Sequence, residues 1–158
     1  MAQRYLERDL GWREIKKGLK QLDGQCVDTG LFAEDLYPDR PERDAAQVAF
    51  WNEYGTEDGH VPARPFNREC FERNRNWVND LFDKGVDQLY RRYDTALEVL
   101  ENIGLAYREM LKYVLLEGPW VPNAPRTVAK KGHAMPLIDT EFLWSVIKYK
   151  LRKRGAAE

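Results

Sequence analysis

With 158 residues, 43% hydrophobic and 32% charged, the chain has the size and composition of one soluble globular domain rather than a disordered one. Its 25 Lys and Arg against 26 Asp and Glu leave a formal net charge of −1, which excludes a general electrostatic drive toward nucleic acid. No apolar run approaches the roughly 20 residues of a membrane-spanning helix, and the two distant cysteines, Cys26 and Cys70, support neither a disulfide framework nor a zinc site and read as buried free thiols.

In chain order, Tyr5, Leu6, Leu10, Trp12, Ile15, Leu19 and Leu22 recur at roughly helical spacing and predict an amphipathic helix over 3–21, ended near Gly24. The first ten residues mix both signs of charge without a continuous apolar stretch, so no signal peptide is expected. Residues 25–32 have strand-like content. Residues 33–44, with Pro38, Pro41 and dense charge, predict a mobile loop. Residues 45–51 are apolar enough for a second strand, after which Gly55, Gly59, Pro62 and Pro65 punctuate an irregular segment.

Phe71, Trp77, Val78, Leu81, Phe82, Val86 and Leu89 predict a helix over 66–90. A more regular one over 95–116 lines up Leu97, Leu100, Ile103, Gly104, Tyr107, Leu111 and Val114 on one face. A proline-rich turn (Pro119, Pro122, Pro125) and the basic Lys130-Lys131-Gly132 lead to a last strand over 142–151, whose apolar alternation slips register once. Residues 152–158 read as a frayed tail. Helices at the start and middle, with strands early and late, make an α+β chain whose sheet joins distant segments.

Convergent chemistry is sparse in this pattern. His60 and His133 each sit near glycine in an expected loop, without metal-ligand spacing. Asp80, Asp83 and Asp87, like Glu98 and Glu101, are spaced for a helix face, and with Lys84 and Arg91 nearby they read as a solvated charged surface. No catalytic residue, cofactor site or metal site is assigned. Lys148, Lys150, Arg152, Lys153 and Arg154 form a basic C-terminal strand. That strand is either an edge protected against aggregation or a phosphate-contacting surface, to which Arg91-Arg92 and Lys130-Lys131 could add.

Two stretches carry more information. One is Asn52-Glu53-Tyr54-Gly55-Thr56 continuing through Pro62-Ala63-Arg64-Pro65-Phe66. The other is Pro122-Asn123-Ala124-Pro125-Arg126-Thr127, then Lys131-Gly132, then Leu137-Ile138-Asp139-Thr140. In this order they resemble the tail-completion and head–tail joining proteins of tailed phages and prophages, over about residues 45–150. Glu141 stands where that family usually has glycine, and the segment from Pro38 to Asp44 is an insertion.

The resemblance implies a small, mainly antiparallel twisted sheet packed on two or three helices. It also implies a structural, non-enzymatic subunit of a virion ring, a hexamer, at the neck between head and tail. Its partners would be further copies of itself, connector, adaptor or stopper proteins on one side, and tail-terminator or tail-tube proteins on the other. DNA would pass through the lumen without sequence readout, and no membrane is involved. A tail terminator or minor capsid protein is the nearest alternative, and a DNA-binding module using the basic C-terminal strand the alternative of a different class. Within the motifs, the prolines hold Arg64 extended, where it is expected to clamp backbone carbonyls or Glu53. Phe66 is expected to plug the core, and Asp139-Thr140 to turn the chain into the last strand. Trp51, Trp120 and Trp144 are candidate partner contacts. Residues 35–44 and 56–60 are expected to become ordered on assembly.

Overall fold

The structure is a computed structural model that describes residues 11–137 and 141–155. Its elements in chain order are α1 (Trp12–Asp23), β1 (Gln25–Gly30), β2 (Leu36–Tyr37), β3 (Arg40–Asp44), α2 (Ala45–Tyr54), α3 (Phe66–Arg73) and α4 (Arg75–Arg91). They are followed by α5 (Ala96–Glu117), α6 (Pro125–Lys131), α7 (Phe142–Ser145) and β4 (Lys148–Lys153). The α+β class holds, with two small antiparallel sheets, β1–β4 and β2–β3. Early and late strands do join: Gln25 lies opposite Lys153, and the ladder runs to Gly30 opposite Lys148.

Helix α5 organises the molecule. Thr95 caps it by accepting from the Glu98 N–H at 3.3 Å while the Glu98 carboxylate accepts from the Thr95 N–H at 2.7 Å, a reciprocal capping box. Toward its N-terminus, Val99 and Ile103 pack with Leu89 of α4. Toward its C-terminus, Leu111, Val114 and Leu115 pack with Ala45, Phe66, Cys70, Leu143 and Ile147. Gly104 is where the β1–β4 sheet crosses the helix: a Cβ there would meet Val27 Cγ2 at 2.6 Å and the Tyr149 ring at 2.8 Å. The packing is the reason for glycine in mid-helix, where it costs about 1 kcal/mol in propensity.

Several expectations are corrected. Residues 33–44 are not a mobile loop but include the β2–β3 hairpin, turning at Pro38-Asp39. Residues 45–51 form helix, not strand. The Asp44 carboxylate accepts from the Gln47 N–H at 2.7 Å and starts α2, and Ala45, Val48 and Ala49 turn toward the core at helical spacing. A short apolar run reads the same in a buried strand and a buried helix, and the cap decides. The helix expected over 66–90 is two helices broken at Asn74, whose backbone and side-chain N–H groups both donate to the Cys70 carbonyl, at 3.2 and 2.8 Å.

The proline-rich turn runs into α6, with Pro125 in its first turn, where a missing N–H costs nothing. The strand expected over 142–151 is corrected at its start: residues 142–145 form the α7 turn, and β4 begins only at Lys148 and takes in Arg152 and Lys153, so those two are not part of a frayed tail. Cys70 is buried but Cys26 only half-buried, and both are free. The described part of α1 begins at Trp12.

Candidate functional site

The first motif starts at the end of α2. Gly55 terminates the helix at φ +79, with its N–H on the Trp51 carbonyl at 2.8 Å. A Cβ there would sit 3.1 Å from both Val61 O and Ala63 N, so glycine is required by conformation and by space. Thr56 then closes a clip. Its N–H donates to Val61 O and its hydroxyl accepts from the Val61 N–H, both at 3.0 Å. The same hydroxyl donates to Asp58 at 2.6 Å. That bond, with one from the His60 N–H, holds the Asp58 carboxyl below its ordinary range. Residues 56–61 are thus tied together by their own hydrogen bonds.

From Pro62 the chain doubles back over α2. The Arg64 N–H donates to Asn52 O at 2.6 Å and the Phe66 N–H to Arg64 O at 2.7 Å, which places Phe66, 2% exposed, in the core at the start of α3. Glu53 does not pair with Arg64. Its carboxylate, 9% exposed, accepts from the Asn67 and Arg68 N–H groups at 2.9 and 3.1 Å. A helix N-terminus offers unsatisfied donors and a partial positive charge, and Pro65 has no side-chain acceptor to meet them.

Arg64 instead reaches the second motif. It is 5% exposed, and its guanidinium donates to Val121 O at 2.9 Å, Asn123 Oδ1 at 3.0 Å and Asn52 Oδ1 at 3.3 Å. Both asparagines are fixed in turn: the Asn52 amide donates to Val48 O at 2.8 Å and the Asn123 amide to Met135 O at 3.0 Å. Burial draws the guanidinium below its ordinary pKa, yet it remains a cation at any physiological pH. Two stretches 57 and 59 positions apart in sequence thus close on one buried arginine.

Pro62, Pro122, Asn123, Thr127 and Leu137 line a cleft above this junction, together with Trp51. Trp120 turns inward, its Nε1–H donating to Leu115 O at 2.9 Å, and its ring lies against Gly118, where a side chain would collide with it. Trp144 packs against the core with Lys112 Nζ 4.6 Å above its ring. Tyr54 points outward, 60% exposed, beside Phe50 at 4.8 Å between ring centroids. Ile138, Asp139 and Thr140 lie outside the described residues. Glu141, on the far side, has φ +60, a left-handed conformation that suits the glycine of the related motif.

Compared with known proteins, the chain matches no family model, no curated protein and no solved structure.

The remaining candidates disperse. His60 is exposed beside Asp58, and His133 is half-buried past α6. Asp80, Asp83 and Asp87 are exposed on α4, Asp87 paired with Arg91 at 2.7 Å. Among the described residues no group of three or more His, Cys, Asp or Glu is placed to hold a metal ion, and no helix is long and apolar enough to cross a membrane. The basic strand β4 is heavily paired. Lys148 contacts Asp35 at 2.8 Å and Glu34 at 2.9 Å, Lys150 contacts Glu34 at 2.6 Å, and Arg152 pairs with Asp28 across the ladder. Residue-by-residue reading missed the contribution of Arg40, Arg43 and Lys131 to the cleft. Arg40 and Arg43 look like ordinary surface charges, Lys131 was noted only as part of a basic pair and of the second motif, and the hairpin and α6 bring the three together.

Proposed function

We propose that this protein is a structural, non-enzymatic component of a tailed-phage virion, a subunit of the neck ring that joins head to tail. The observation that carries this reading is the convergence on Arg64. The two stretches that together resemble the tail-completion family meet there, Asn52 of the first and Asn123 of the second sharing one guanidinium.

Copies would meet heterologously around a closed axis, six to a ring, with connector subunits on one side and tail subunits on the other. The exposed Phe50, Tyr54, Tyr90, Tyr93 and Tyr113 supply the aromatic anchors that protein interfaces favour. The near-neutral chain suits a lumen through which DNA passes without being gripped. The DNA-binding alternative is weakened by the pairing of Lys148, Lys150 and Arg152 with carboxylates, which leaves less positive charge on β4 for phosphates.

The test is the mass of the purified protein in solution, alone and mixed with connector and tail proteins of a tailed phage. A closed ring, alone or on adding a partner, is the expected result. A monomer indifferent to every virion protein would overturn the assignment.

A further inference from the structure

Helices α1 and α4 carry more apolar surface than their contacts with the core use. Their inner faces meet at Gly18, where a Cβ would lie 2.8 Å from Leu89 Cδ1, and Gly85 of α4 lies against Val99 in the same way. Beside each inner face runs a second apolar row. On α1 it is Trp12 and Leu19, and on α4 it is Phe82, Val86 and Tyr90. All five are between 39% and 60% exposed. A surface helix normally confines its apolar residues to one inward stripe, and a contiguous exposed row marks a contact site.

The charges flanking the two rows are opposite in sign. Turning about 100° per residue, Lys16 and Lys20 fall about 50° and 90° to one side of the Trp12–Leu19 row. Asp83 and Asp87 fall about 60° and 100° to the same side of Val86, with Asp80 just beyond. Lys20, Asp80 and Asp83 have no ion pair among the described residues, and Lys16 lies over the Trp12 ring at 5.7 Å. Charges of contrary sign are turned away or engaged. Glu14 and Lys84 sit about 150° or more from the rows. Asp23 is held by Arg154 at 3.1 Å, Arg91 by Asp87 at 2.7 Å, and Arg75 lies over the Phe71 ring at 5.5 Å.

This layout fixes an orientation. Both charged flanks lie on the same hand of their rows, and the other flank of each row faces the core. Two such helices bring lysine against aspartate only when they run antiparallel, as flanking charges do in paired helices generally. The rows also match in length, about 10 Å on α1 and about 12 Å on α4 at 1.5 Å per residue. Within one molecule the two helices already pack through their inner faces, so the outer rows are left to a neighbour.

We propose that α1 of one copy docks antiparallel on α4 of a second copy, Trp12 and Leu19 against Phe82, Val86 and Tyr90, with Lys16 and Lys20 facing Asp80 and Asp83. The occupant is a second copy because the surface complementary to α4 in shape and charge is on the same chain. That the contact repeats around a closed ring rests on the neck reading; that it joins two copies follows from the rows alone.

The test is sedimentation equilibrium of the full chain over a range of concentrations. The unsubstituted chain should self-associate. Lys16→Glu with Lys20→Glu, and separately Asp80→Lys with Asp83→Lys, should each weaken self-association about ten-fold or more. An equimolar mixture of the two variants should associate where neither does alone, because each then offers the other an opposite charge. The chain with all four substitutions should recover likewise. If a reversed pair melts early, Lys16→Gln with Lys20→Gln or Asp80→Asn with Asp83→Asn is scored in its place, with a smaller loss expected. The inference is overturned by an unsubstituted chain that stays monomeric to about 1 mM, by variants that associate as it does, or by a mixture that stays apart. It is also overturned if the lysine variant loses only binding to duplex DNA, which would give the α1 face to nucleic acid. A closed ring indifferent to both reversals would remove this contact and retain the neck reading, whereas a dimer that obeys them would retain the contact and remove the ring.

Discussion

Arg64 illustrates how one side chain can join two distant segments. Its three hydrogen bonds go to groups that are themselves held, Asn52 and Asn123 by other backbone carbonyls and Val121 O by the chain leading into α6. Removing the guanidinium leaves these acceptors without their donor in a largely buried place, at about 1–3 kcal/mol for each that water cannot reach. Arg64→Ala should therefore lose about 3–5 kcal/mol in urea unfolding. Arg64→Lys should recover less than half, because one ammonium cannot serve acceptors arranged for a planar fork. A loss below about 1 kcal/mol for the alanine variant would mean the junction is not held this way.

The importance of Arg64 was legible in sequence, flanked as it is by Pro62 and Pro65, and so was a backbone carbonyl among its acceptors, here Val121 O, but Asn52 and Asn123 were not. Glu53 was the obvious counter-charge, and the structure gives Glu53 to the N-terminus of α3 instead. Glu141 is a different case. The departure from glycine was visible in the sequence, and the left-handed conformation at that position gives the departure its physical meaning.

At the scale of elements, the close crossing of β1–β4 on α5 depends on Gly104. Alanine there would gain helix propensity but place its Cβ inside the contact distance of Val27 and the Tyr149 ring. The overpacking term, about 1–3 kcal/mol, should exceed the gain of up to about 1 kcal/mol. Gly104→Ala is thus expected to lower the melting temperature, with the loss of amide protection concentrated in β1 and β4. An unchanged or raised melting temperature would show that the sheet can shift away at no cost.

The long, capped α5 was readable because period and caps agree. The failures have a common cause. Between residues 33 and 54, proline, charge and short apolar runs offer two local solutions, and tertiary packing chose the hairpin and helix. The break at Asn74 was hidden because the apolar period continues on both sides of it.

At the scale of the whole molecule, the outer face of the β1–β4 sheet is tied to residues 34 and 35 by charge. Lys150 and Lys148 draw the Glu34 carboxyl down to about 2 from its ordinary 4.5. A carboxyl with a depressed folded-state pKa contributes stability that is present above about 4.5 and lost as pH falls toward about 2. Lys148 is raised, by Asp35 first and then Glu34, so its contribution is present below its ordinary 10.5 and lost in more alkaline solution. A carbon-detected titration of Glu34 should show a midpoint near 2. Lys148→Ala with Lys150→Ala should return it toward the ordinary range and flatten the acid side of the stability profile. A midpoint already ordinary in the unmodified protein would remove the tether. Like the cleft, this tether was invisible in sequence, since its members come from opposite ends of the chain.

The pairing of Gln25 with Lys153 also bears on how the protein is made. During synthesis β1 emerges early and has no strand to pair with until residue 148 and its successors have followed. Until then α5 can form locally, but the face around Gly104 lacks the Tyr149 ring that covers it. Sheet closure therefore has to wait for β4. A polypeptide released before residue 148 keeps an unpaired strand and an uncovered helix face, features that favour aggregation.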